Sequence, residues 1–101
     1  MIQHARTAGL RWQLIGILNK TRPHTASEQY LFDVLSLIYP DVTKIELRRE
    51  LDYLQDRELL TLTKQPIGLW FADLTRHGVD IAEYTIECEA GIARPEKYWE
   101  T

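Results

Sequence analysis

Leu10, Leu14, Ile17 and Leu18 fall on one face of a helical period, which predicts a first helix from about Ala8 to Asn19. Lys20 lies near its end and Pro23 just beyond, as a stop. Thr25 and Glu28 have capping-box spacing, in which hydroxyl and carboxylate satisfy each other's free backbone N–H groups. A second helix is expected from there, with Leu31, Val34, Leu35 and Ile38 as its buried stripe and an end before Pro40. Thr43 and Glu46 repeat the device, and Leu47, Leu51 and Leu54 supply the core face of a third helix. The period then changes to alternation. LLTLT from Leu59 and LWFADL from Leu69 flank KQPIG from Lys64, the pattern of a β-hairpin. Thr75 caps a short last helix through Tyr84, in which Val79, Ile81 and Ala82 supply apolar contacts and Gly78 is a tolerated weak point. The segment TIECEAGIARPEKYWET has no sustained period. A domain over 1–84 and an extended or partly mobile tail over 85–101 are therefore expected, without internal repeats.

Composition narrows the class. The 101 residues, 45% hydrophobic and 27% charged, suffice for one domain with a modest core. The longest uncharged runs, WQLIGILN and QPIGLWFA, are far below the ~20 apolar residues of a membrane span, and Arg6 and Arg11 interrupt any signal-peptide core. A soluble cytoplasmic protein without membrane partners is predicted. The single Cys88 excludes an internal disulfide and a cysteine-rich zinc site. Net charge is −3, below the basic range of many dedicated nucleic-acid binders, but its distribution is uneven. Residues 1–27 carry four basic side chains and no acid, whereas residues 83–101 carry five glutamates against Arg94 and Lys97.

Three helices, a hairpin and a final helix follow the order of a winged helix-turn-helix domain, a mostly α fold with a small β-hairpin wing (α+β). VTKIELRRELDYLQDRELLTL from Val42 is similar to the recognition-helix-to-wing stretch of winged-helix regulators, and LTRHG from Leu74 to their LTxxG step out of the wing. With RWQLIGILN from Arg11, LWFADLTRHGVDIA from Leu69 and GIARP from Gly91, the chain resembles a family of small winged-helix proteins of Mu-like phages and prophages. That resemblance covers most of residues 11–95. It implies a winged-helix fold and a phage or prophage origin, in a family with members encoded among virion-assembly genes near the packaging terminase, and no settled biochemical role. One departure stands out: Glu58 occupies the step into the wing where such sequences place Gly, so the left-handed cap that Gly provides is expected to be absent or strained.

The candidate chemistry is that of binding. With Leu47, Leu51 and Leu54 inward, the third helix presents Ile45, Arg49, Asp52 and Asp56, flanked by Lys44, Arg48, Tyr53 and Gln55. Arg48 or Arg49 near the helix start suits bidentate contact to guanine, Thr43 and the free N–H groups suit a phosphate, and Lys44 and Lys64 add charge. The alternative is that Arg48 and Arg49 pair with Asp52 on a solvated face. Trp70, Ala72 and Leu74 read as core, which leaves Leu69 and Phe71 on the other face, a partner surface unless the tail covers them. Trp12 and Ile15, beside Gly16, are a candidate homodimer contact, unless Trp12 packs under the chain's own C-terminal segment. Tyr98 and Trp99 are aromatic anchors that either fold back or dock to a partner.

Catalysis finds no constellation. His4, His24 and His77 are scattered, Glu87 and Glu89 disfavour a Cys88 thiolate, and no nucleotide-binding loop is present. No enzyme activity, cofactor or metal is expected. The reading is a winged-helix protein that contacts double-stranded DNA through its third helix, as a regulatory or DNA-packaging accessory factor. The alternative is a protein-interaction module that binds a phage assembly or packaging protein without touching DNA.

Overall fold

The computed structural model describes residues 2–97. Among them are α1 (Ile2–Thr21), β1 (Ala26–Ser27), α2 (Glu28–Ile38), α3 (Lys44–Asp56), β2 (Leu60–Lys64), β3 (Trp70–Leu74) and α4 (Arg76–Ala82), an α+β fold of four helices and a three-stranded antiparallel sheet. The sheet order is β1-β3-β2, with Leu62 opposite Ala72 in the hairpin and Ala26 opposite Ala72 on the other side.

Helix α1 is the centre of the packing, in contact with α2, α3, α4 and β3. Its buried arc is correspondingly broad: Leu10, Leu14, Ile15 and Leu18 are buried, and Ile17 only partly. Ile15 therefore cannot serve the dimer contact expected of it. It is fully enclosed in the domain's own core, because elements surround α1 on several sides. Trp12 is half-buried and stands edge-on to Tyr84, with ring centroids 6.0 Å apart.

β1 escapes the apolar pattern, being two residues long. It also displaces the expected capping box. The Thr25 hydroxyl is engaged with β3, 3.2 Å from the Ala72 carbonyl and 3.0 Å from Asp73, so α2 starts two residues later. Ser27 is the N-cap and accepts from the Tyr30 amide at 3.1 Å, while Glu28 turns inward and is buried.

At the end of α3 the Leu59 amide donates to the Leu54 carbonyl and the Glu58 amide to Gln55, at 3.0 and 2.8 Å. This is a Schellman cap with Glu58 in the left-handed position at φ 63°. The cap forms despite the missing Gly, and the cost is backbone strain. Because Glu58 is exposed, Glu58→Gly is expected to raise stability by about 1 kcal/mol, net of the entropy of Gly. An unchanged or lower urea midpoint would contradict this.

After α4 the described residues form no helix or strand, but they are tied to the domain. Ile92 is buried, the Ala93 amide donates to the Ala8 carbonyl at 3.0 Å, and Arg94 donates to the carbonyls of Ile81 and Ile86. Tyr98 and Trp99 lie outside the described residues. Among those described, no helix is long and apolar enough to cross a membrane.

Candidate interaction surface

The outer face of α3 and the adjoining hairpin bring together most of the residues expected to meet DNA. Thr43 caps α3, its hydroxyl accepting from the Glu46 amide at 3.1 Å. The Glu46 carboxylate does not complete a capping box; it receives the Arg6 guanidinium of α1 at 2.8 and 2.9 Å. Lys44 donates to the side-chain oxygen of Gln29 at 2.7 Å and lies over the Phe32 ring.

Arg48 and Lys64 converge on Trp70. The Arg48 guanidinium is 4.5 Å from the ring centroid and the Lys64 ammonium 4.2 Å. Each cation also has a carboxylate: Arg48 makes a two-pronged contact with Glu28 and donates to the Gly68 carbonyl, and Lys64 is 2.9 Å from Asp52. Asp52 is thus the partner of Lys64 and not, as the alternative reading of α3 had it, of Arg48 or Arg49. The reason is geometric: the hairpin folds back over α3 and brings Lys64 to the carboxylate, while the buried Glu28 of α2 draws Arg48 away.

Arg49 is more exposed than Arg48 or Lys64, with 65% of its side chain accessible, and its Nε is 3.2 Å from Glu50. Glu50 is 2% exposed and receives Arg11 at 2.7 Å. Arg11 in turn lies flat on the Tyr53 ring at 3.4 Å and donates to the Gly91 carbonyl. The hairpin tip between Lys64 and Trp70 has no cation; it presents Ile67, 78% exposed, and Leu69. Ile45, 79% exposed, stands at the start of α3. Phe71 points to the opposite face of the sheet from Trp70, by strand alternation.

The burial of Glu28, expected only as a capping carboxylate, and of Glu50 was not expected, although the chain carries a signal for it. Glu28 is spaced three and seven residues before Leu31 and Leu35, and Glu50 lies within the Leu47, Leu51, Leu54 stripe. A carboxylate at a core-facing position needs a cation from another element, because an unpaired buried charge is strongly disfavoured.

These pairs bear on pH. The Arg48 guanidinium holds the Glu28 carboxyl below the usual glutamate range, and Arg6 does the same for Glu46. A carboxyl whose pKa is lower in the folded state stabilises the fold above its unfolded value and loses that contribution as pH falls through the folded one. The urea midpoint is therefore expected to be flat between neutrality and about pH 5 and to fall below about pH 4.5. Arg48→Met should flatten the acid limb, and a midpoint independent of pH down to about 3 would contradict the assignment. Burial pushes the Cys88 thiol up, away from reactive thiolate character. Among the described residues no group of three or more His, Cys, Asp or Glu side chains is placed to hold a metal ion.

Protein-family models, curated proteins and solved structures contain no match to this chain.

Proposed function

We propose that the chain is a winged-helix domain that works as a protein-interaction module, with α3 and the hairpin as its contact face. Support for the fold reading comes from the element order and from β1 closing the hairpin into a β1-β3-β2 sheet. One observation carries the functional reading. Two of the cations that would meet phosphate, Arg48 and Lys64, are already paired with Glu28 and Asp52 at Trp70, and the hairpin tip beyond Lys64 exposes Ile67 and Leu69 and carries no cation. Nucleic-acid affinity depends on releasing counterions from phosphates with available cations, and ion-paired groups must first give up their partners. Ile45, Ile67 and Leu69 are exposed apolar side chains on α3 and the hairpin, available as contacts for a protein partner. The resemblance to the phage family makes an assembly or DNA-packaging protein the expected partner.

A second reading, direct binding of duplex DNA, is favoured by Arg49, whose guanidinium is largely exposed one turn into α3. Titration of labelled duplex DNA across a salt series separates the two. The interaction reading expects no salt-dependent binding, and it expects co-purification with a co-expressed neighbouring assembly protein that Ile45→Asp with Ile67→Asp disrupts. Duplex binding with a log–log salt slope of about −3 to −5, lost in Arg49→Ala, would overturn it.

A further inference from the structure

A second surface lies beside β1, on the Phe71 side of the sheet, and does not depend on the α3–hairpin face. Phe71 and Tyr30 line a groove of about 440 Å³, with Lys20, Arg22 and His24 at its rim. Phe71 is half-buried and Tyr30 is 47% exposed, so the groove has aromatic walls open to solvent. Among the described residues no acidic side chain lines it, in a protein of net charge −3.

Its cations differ from Arg48, Arg49 and Lys64 of the α3–hairpin face. Arg6, Arg11, Arg48, Arg49, Arg57, Lys64 and Arg76 each face a carboxylate of the same chain. Lys20 and Arg22 do not: both are exposed, and Arg22 donates only to the neutral side chain of Asn19 at 2.8 Å. Among the described residues Lys44 and Arg94 also lack a carboxylate, but Lys44 is held by Gln29 and Phe32 and Arg94 by backbone carbonyls, so the groove is where two exposed cations without a carboxylate meet aromatic walls. β1 also lies at the edge of the described sheet, and an added extended chain would pair on its side away from β3.

We infer that this groove binds an acidic peptide segment in extended conformation, which lies along β1, places an aromatic or aliphatic side chain between Phe71 and Tyr30, and pairs its carboxylates with Lys20 and Arg22. Duplex DNA fits poorly, because two cations neutralise few phosphates and the walls are apolar. A peptide in β conformation fits the alternation required: one face inserts its side chain, the other remains in water.

The test is an amide-resolved NMR titration with a heptapeptide that alternates glutamate with valine around a central tryptophan. Shifts are expected to centre on residues 24–27, Tyr30 and Phe71 and to saturate below about 1 mM peptide. Lys20→Glu with Arg22→Glu should weaken binding by about tenfold or more, as should replacement of the peptide's glutamates by lysine. Both protein positions are exposed, and the unchanged spectrum of the remaining residues reports that the variant folds; Lys20→Gln with Arg22→Gln serves if it does not. No shifts at about 1 mM, shifts confined to α3, or indifference to the charge reversals would overturn the inference. Tighter competition by oligothymidine would assign the groove to single-stranded nucleic acid instead. The duplex titration on Arg49 tests the α3 face separately, so either surface can fail alone.

Discussion

Gly78→Ala is expected to be among the most damaging single-methyl additions in this protein. A Cβ at Gly78 would sit 2.1 Å from the Leu59 carbonyl oxygen and 2.7 Å from Leu74 Cδ1, and the first of these is backbone that cannot rotate away. The contact is closed from three sides. The Thr75 amide donates to the Leu59 carbonyl at 3.0 Å, the Thr75 hydroxyl to the Glu58 carbonyl at 2.7 Å, and the Gly78 amide to the Thr75 hydroxyl at 3.1 Å. Moving α4 outward to admit a methyl would break these bonds and separate Ile81 from the core. Overpacking of a tight core typically costs 1–3 kcal/mol, and with backbone as the obstacle we expect about 3 kcal/mol or more, a large share of a small domain's stability. Urea denaturation at pH 7 measures it. A loss under about 1 kcal/mol would mean that α4 is free to shift and that Gly78 is not required by this approach.

The second large effect concerns Arg11. Arg11→Met removes the 2.7 Å partner of Glu50, the stack on Tyr53 and the hydrogen bond to the Gly91 carbonyl, and leaves the buried Glu50 with only the exposed Arg49 at 3.2 Å. Breaking one side of a buried pair strands the other charge, and a loss of about 3 kcal/mol is expected. The double variant Arg11→Met with Glu50→Leu should recover to within about 1 kcal/mol of the parent, because a buried ion pair exchanged for apolar packing is often neutral. Failure of the double variant to recover would show that Arg11 acts through Tyr53 and the C-terminal segment rather than through Glu50. The coupling between the two positions separates these contributions.

The helices were legible because each carries its own local instructions. Leu47, Leu51 and Leu54 repeat at the helical period, Thr43 and Thr75 sit where an N-cap must, and the hairpin alternation brackets its turn. These are interactions among residues a few positions apart, so their pattern survives in one dimension. The same reasoning failed at Thr25, where a correct local capping motif was overridden by pairing with Ala72, 46 positions beyond Ala26 in the chain. It also failed at Ile15, since the width of a buried arc depends on how many neighbours a helix acquires.

The candidate DNA-contact residues show the same division. That Lys44, Arg48, Arg49 and Lys64 share one side of the molecule follows from helical and strand periods. Whether the charge of Arg48 and Lys64 is available does not, because it depends on which carboxylates arrive from other elements: Glu28 from α2 for Arg48 and Asp52 from α3 for Lys64. Local periodicity set helix content, the hairpin and the polarity of each face. Long-range packing set the edge strand β1, the burial of Glu28 and Glu50 and the pairing of Arg48 and Lys64 with carboxylates, since each depends on contacts between distant segments that no short window of the chain contains.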